Sequence, residues 1–276
     1  MSPAPLPRHT AHRYVQPLRE GGSLPAIVDT DDGLYVVKFR GAGQGPRALV
    51  AELIVGRLAQ ALGLPTPDLA IIDIPPPFGR SEPDPEIQDL LRASHGTNVG
   101  LRYLDGAFNF ALAAARDLVT SDFASRLVWL DAFVTNPDRT HRNTNLLVCH
   151  RELWLIDHGA ALYAHHDWNS VDEARTGSAF PLIRDHVLIT ACDDIQDIDD
   201  QCAAMLTHDV LRAIVDAVPD DLLADPTIFS SPSDARDRYV RYLAERLRAP
   251  REFIAEAARA RDLARSQPET RLRARR

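Results

Sequence analysis

Asp31-Asp32-Gly33-Leu34-Tyr35-Val36-Val37-Lys38-Phe39 is a tight turn that runs directly into a strand. Asp-Gly supplies the positive φ that a hairpin needs, and the residues after it are β-branched or aromatic. Period-2 alternation puts Tyr35 and Val37 on one face and Leu34, Val36 and Lys38 on the other, so the lysine stem lies along an apolar surface. Upstream, Arg13 to Leu18 and Pro25 to Thr30 read as two strands around Glu20-Gly21-Gly22-Ser23, which completes a three-stranded antiparallel meander. Downstream, Gly41 to Gly45 is a glycine-rich loop and Pro46 suits a first helical turn. Leu49, Leu53, Ile54, Leu58 and Leu62 then keep helical spacing until Gly63 stops the helix, and Glu52 belongs to it. The loop imitates a dinucleotide fingerprint, but its spacing is wrong and Pro46 removes an amide.

Further on, Leu69 to Ile74 reads as a buried strand, Pro75 to Glu86 as a surface loop and Val99 to Leu104 as a strand ending at Asp105-Gly106. Residues 1–105 therefore form a small sheet-based N-lobe. Residues 106–276 are mainly helical, with a helix over Phe123 to Val134 and helical patterns over Val210 to Val218 and Ala235 to Leu263. Within them a polar stretch, Thr135 to Asn145, is followed by the short apolar runs Leu146 to Cys149 and Leu153 to Ile156. A strand-rich first third before a helix-rich remainder predicts an α+β chain of two lobes with a cleft between them.

Composition narrows the function classes. With 45% hydrophobic and 25% charged residues, the 276-residue chain has enough apolar material for a sizeable core. No apolar run reaches the roughly 20 residues of a membrane span, and Met1 to Arg13 has no apolar signal core, so the chain is expected to be cytoplasmic and away from membranes. Cys149, Cys192 and Cys202 show no C-x-x-C spacing and are expected to be reduced thiols. A formal charge of −8 disfavours nucleic acid as a partner, and the arginine-rich end after Pro250 reads as a solvated helix face.

Lys38 is the sole lysine among 31 basic residues, a compact charge kept where arginine fills every other position. An ammonium on a flexible stem suits phosphate oxygens. Phosphoryl transfer from a nucleotide needs a lysine on the phosphates, oxygen ligands for Mg²⁺ and a carboxylate that accepts the proton of the attacking hydroxyl. All of these are present. Asp138 and Asn143 stand five apart in Asn136-Pro137-Asp138-Arg139-Thr140-His141-Arg142-Asn143, which lets the acid face a hydroxyl while the amide oxygen reaches metal. Asp157 in Ile156-Asp157-His158-Gly159 ends a strand in the position of a D-x-G element, where the carboxylate ligates metal and the glycine turns the backbone away.

These two motifs resemble those of the HipA-like kinases. The first is similar to that family's N-x-D-R-H-x-x-N catalytic loop, although Thr140 stands where the histidine is expected and His141 falls one place late. Gly63-Leu64-Pro65 and Leu101-Arg102-Tyr103-Leu104 are also family-like, and the resemblance runs from about Arg13 to Asp167. It implies a bilobal protein-kinase-like fold, with a small antiparallel-sheet N-lobe and a mainly helical C-lobe. The implied activity is an ATP- and Mg²⁺-dependent phosphotransferase acting on an alcohol group, expected to be a protein Ser/Thr hydroxyl. By the same resemblance Asp138 is the catalytic base, Asn143 and Asp157 are the Mg²⁺ ligands, and Lys38 is the phosphate contact, held by Glu52. The hinge backbone at Arg102, Tyr103 and Leu104 would bind adenine, with Gly22 and Ser23 at the phosphate-covering turn and Ser23 a candidate for autophosphorylation. A repressor partner follows only from family analogy.

Two other readings stay open from the sequence. A small-molecule or lipid kinase of the same fold has the same phosphoryl machinery, and the acidic run Asp193 to Asp200 would suit a cationic acceptor. A nucleotide-binding pseudokinase acting as a scaffold is the other. His165-His166-Asp167 lacks the spacing of a metal site and reads as a polar loop, while Trp129 and Trp154 read as core aromatics.

Overall fold

The computed structural model describes residues 5–18, 24–43, 45–80 and 82–266. Strands β1 (Arg8–Pro17), β2 (Ala26–Thr30) and β3 (Gly33–Lys38) form the expected meander, with Gly33 at φ +97° closing the turn opposite Thr30. Helix α1 (Gly45–Ala61) follows, then β4 (Leu69–Ile74), α2 (Pro85–Ala93) and β5 (Gly96–Arg102). The expected antiparallel sheet is instead a closed barrel in the order β1-β2-β3-β5-β4, because Arg8 to Thr10 pair in parallel with Ile71 to Asp73. Two register shifts, after Ala11 and after Tyr14, bend β1 enough for one strand to serve both neighbours.

The alternation around Lys38 sorts two cores. Tyr35 and Val37 point into the barrel with Val28, Ala70 and Ile72. Val99, Leu101, Leu69 and Ile71 face outward onto α1, whose Leu49, Leu53, Ile54 and Leu58 are almost wholly buried and join the core of the helical part. Gly56 lets α1 seat there, since a Cβ at that position would come within 2.7 Å of Leu69 Cδ1.

The remainder contains β6 (Phe108–Asn109), α3 (Ser121–Phe133), the hairpin β7 (Leu146–Cys149) and β8 (Glu152–Leu155), and α4 (Glu173–Thr176). It ends with α5 (Ile195–Met205), α6 (His208–Asp216), α7 (Asp220–Leu223), α8 (Pro232–Arg246) and α9 (Glu252–Ser266). Thr120 caps α3 by accepting from Phe123 N at 3.2 Å, and Trp129 and Phe133 pack against Phe253 of α9. The loop expected to run to Glu86 gives way to α2 at Pro85, because Asp84 caps it and Leu91 is buried. The acidic run Asp193 to Asp200 is tied into the fold: Asp194 caps α5, and Asp199 accepts from Trp129 Nε1 at 2.8 Å and from Arg251. Trp129 is a core aromatic as expected, whereas Trp154 is half-buried. No helix among the described residues is long and apolar enough to cross a membrane.

Candidate active site

The pleat of β3 turns Lys38 toward α1, and the one register of that helix that buries its leucines also brings Glu52 inward. Lys38 Nζ donates to Glu52 Oε2 at 2.7 Å and to Asp157 Oδ1 at 2.6 Å. Glu52 is completely buried and its Oε2 also accepts from His158 N at 2.7 Å, so one carboxylate fixes both the lysine and the turn after Asp157. Asp157 lies two residues past β8 in left-handed backbone, φ +54°, and its side chain keeps 38% of its surface open. Burial pulls the Lys38 ammonium down, but the two carboxylates more than reverse this and its pKa ends above the ordinary value. Burial likewise pushes Asp157 up, and Lys38 brings it below its ordinary value. One cation between two carboxylates leaves a net negative charge beside the open edge, suited to a further cation.

The loop after α3 is built on a buried ion cluster. Asp131 receives Asn136 Nδ2 at 2.9 Å, Arg139 Nε at 2.7 Å and His186 Nε2 at 3.0 Å. Leu188 N donates to His186 Nδ1 at 3.0 Å, which fixes the proton of the neutral ring on Nε2, facing Asp131. Burial would raise the Asp131 carboxyl, yet Arg139 and His186 hold it well below the usual carboxylate range. Burial lowers His186. Arg139 also donates to the carbonyl of Asn145 and faces His158 Nδ1 at 3.3 Å. His158 is wholly buried, and that burial lowers its pKa to about 4.

On this base stands Asp138, half-buried, its backbone N–H donating to Asn136 Oδ1 at 3.1 Å. Its Oδ2 accepts from Asn143 Nδ2 at 2.8 Å and from Asn145 Nδ2 at 3.1 Å. Asn145 Nδ2 also reaches the Asp157 carbonyl at 3.5 Å. Lys38 bonds Glu52 and Asp157 directly, Asn143 bonds Asp138, and Asn145 joins the two groups.

The other expected positions lie differently. Arg102 faces Tyr35 across the β3–β5 pairing, three residues and roughly 10 Å along the strand from Lys38. Its guanidinium stacks 4.6 Å over the Tyr35 ring and bonds Asp32, so its side chain is on the barrel-interior edge, away from the face that carries Lys38. Arg102 N donates to Asp68 O and Tyr103 N to Leu34 O, which engages both amides within the protein, and Leu104 O accepts from Ala107 N in a turn. Gly22 and Ser23 lie outside the described residues. Sequence reasoning did not single out Asp131, Asn145, His158 or His186. Asp131 is an acid in the apolar last turns of α3, a signal of buried partners; Arg139 stands eight residues on, but His186 is 55 away. It also set aside the loop of Ala42 and Gly45, which with Ala48 and Gly159 lines the small recess at Lys38 and Asp157.

Among the described residues no group of three or more His, Cys, Asp and Glu could hold a metal. The donors that could are of mixed type, the open Asp157 carboxylate and the Asn143 amide oxygen. Both are hard oxygen ligands, and Asn145 ties the loops that carry them together, an arrangement that fits Mg²⁺ with water and phosphate completing its shell.

A family profile described as HipA-like kinase matches residues 13–250. The chain is similar in structure to a Helicobacter pylori proinflammatory kinase, CtkA, with a TM-score of 0.53 and 14% sequence identity over 94% of this chain and 99% of that one. No curated protein matches in sequence. The profile spans most of the barrel, the loop of Asp138 and the segment after Asp157, and the chain belongs to the HipA-like kinase family.

Proposed function

We propose that this kinase transfers the γ-phosphoryl group of ATP, with Mg²⁺, to a Ser or Thr hydroxyl of a protein, in a cleft between two lobes. The observation that carries the reading is the placing of Lys38 between Glu52 and Asp157, with Asp138 held by Asn143 on the neighbouring loop. Glu52, fully buried, orients the Lys38 ammonium for phosphate oxygens instead of leaving it to wander among rotamers. Ile27 and Val36, paired on the face that carries Lys38, supply an apolar roof for adenine. Asp157 and Asn143 would hold Mg²⁺, which when bound neutralises charge developing on the phosphates.

Asp138 accepts the proton of the acceptor hydroxyl as its oxygen bonds to the γ-phosphorus, while the bond from that phosphorus to the bridging oxygen breaks and ADP leaves. A protein acceptor, instead of a small molecule, rests on family membership. The test is ADP release and protein-bound phosphate from γ-labelled ATP with Mg²⁺. Asp138→Asn should lower turnover by about 100-fold or more. Equal turnover in the variant and the wild type would remove Asp138 as the base.

A further inference from the structure

Two amides grip one carboxylate oxygen of Asp138, and they are not equivalent. Asn143 stands on the exposed side of the loop and is the metal ligand in the reading above. Asn145 is buried, with 7% of its surface open. Its Nδ2 lies 3.1 Å from Asp138 Oδ2 and 3.5 Å from the carbonyl oxygen of Asp157. Both neighbours are acceptors only, so the amide can face them in one orientation alone, nitrogen inward, and the position requires a side chain with two donor hydrogens at short reach.

The backbone adds a second requirement. Asn145 has φ +47°, a left-handed conformation that asparagine tolerates better than most side chains. Its carbonyl accepts from Ile156 N at 3.1 Å and from the buried Arg139 guanidinium. The residue is therefore clamped on its main chain to the strand that delivers Asp157 and to the ion cluster under the loop. From that fixed point its side chain spans the base loop and the metal loop.

We propose that Asn145 is the positioning residue of the phosphoryl transfer: it holds the Asp138 carboxylate in place and sets its distance from Asp157, leaving Asn143 free to turn its amide oxygen to the metal. This rests on the assignment of Asp138 as the base. Where Asn143 rotates away from Asp138, Asn145 is the side chain that keeps Oδ2 directed, and it leaves the other oxygen for the acceptor hydroxyl. Nothing in this role touches the nucleotide, so its loss should fall on turnover and spare nucleotide affinity.

The experiment measures ADP release with Mg²⁺ and ATP by the wild type, Asn145→Gly, Asn145→Asp, Asp138→Asn and the double variant Asp138→Asn with Asn145→Gly. Glycine removes the amide without straining the left-handed backbone, and aspartate keeps size and backbone tolerance but offers no donor. Both Asn145 variants should lower kcat by about 10- to 100-fold, the worth of a hydrogen bond to a charged group, with the KM for ATP within about twofold of wild type. In the Asp138→Asn background, Asn145→Gly should change kcat by less than about twofold, because the group through which it acts is gone. An equal factor in both backgrounds would mark Asn145 as merely structural, and so would a rise in KM matching the fall in kcat. An unchanged kcat in both single variants would overturn the proposal outright. A wild type and an Asp138→Asn variant of equal activity would instead remove the functional reading beneath it.

Discussion

Two clusters of buried charge lie in this protein, and they are built from the same chemistry to opposite ends. Around Asp131 the oxygens are fully subscribed: Oδ1 takes Asn136, Oδ2 takes Arg139 and His186, and the side chains of Asp131 and Arg139 have no exposed surface. Around Lys38 the accounting is left open. Glu52 Oε1 is buried with no hydrogen-bond partner, and Asp157 leaves 38% of its side chain open. A satisfied cluster has nothing left to offer a ligand and acts as a fastener for the loop above it. An unsatisfied one keeps donors, acceptors and net charge available for a reaction. Burial of ionisable groups alone therefore does not tell the two clusters apart; the unfilled valence at the open edge of one does.

The strongest way to break the contrast is to remove Asp131. Asp131→Ala leaves the Arg139 guanidinium buried without its carboxylate, and the folding free energy should fall by about 3–5 kcal/mol in urea titrations. A loss below about 1 kcal/mol would contradict the fastener role. Acid is a milder probe, acting on the ring of His158 that lies between the two clusters, facing Arg139 while its backbone N–H bonds Glu52. His158 is neutral when folded, with its pKa lowered from 6.5 to about 4. Above pH 6.5 neither the folded nor the unfolded chain binds this proton, and between 6.5 and about 4 only the unfolded chain does, so stability is whole above 6.5 and drains away as pH falls. The loss from this one group amounts to about 3 kcal/mol by pH 4, readable as a falling urea midpoint. Lys38, raised, and Asp157, lowered, keep their charges throughout that window. A stability flat from pH 7 to 4 would contradict the buried neutral ring. The smallest effect belongs to the open cluster, where Asp157→Asn should cost less than about 1 kcal/mol in the absence of nucleotide.

The sequence carried the parts of this molecule that local chemistry determines. The Asp-Gly turn, the alternation that places Lys38 on the face opposite Tyr35 and Val37, and the helix from Pro46 to Gly63 could all be read directly, whereas the pairing of Lys38 with Glu52 came only from the family resemblance and its bond to Asp157 had no local signal. The parallel pairing of β1 with β4 could not, since Arg8 and Ile71 are joined by no turn that leaves a local signature. Helix α2 was legible in Asp84-Pro85-Glu86, a capping acid before a proline, but the preceding prolines drew the reading toward a loop. Asn145 and His186 escaped for a different reason. Their roles come from partners supplied by the fold, and a lone asparagine or histidine has no pattern that says whether it will be buried.

In the function proposed above, the open cluster at Lys38 and Asp157 holds Mg²⁺ and a nucleotide. Thermal unfolding of wild type and Asp157→Asn, each with Mg²⁺ and ATP, with ATP alone and with neither, tests it most directly. Ligand at about 100 times its dissociation constant stabilises by roughly 2.7 kcal/mol. A Mg²⁺-nucleotide site there gives the wild type a shift of that size that requires Mg²⁺ and vanishes in Asp157→Asn; a wild type that gains nothing from Mg²⁺ and ATP, or a variant that gains as much, would rule that site out.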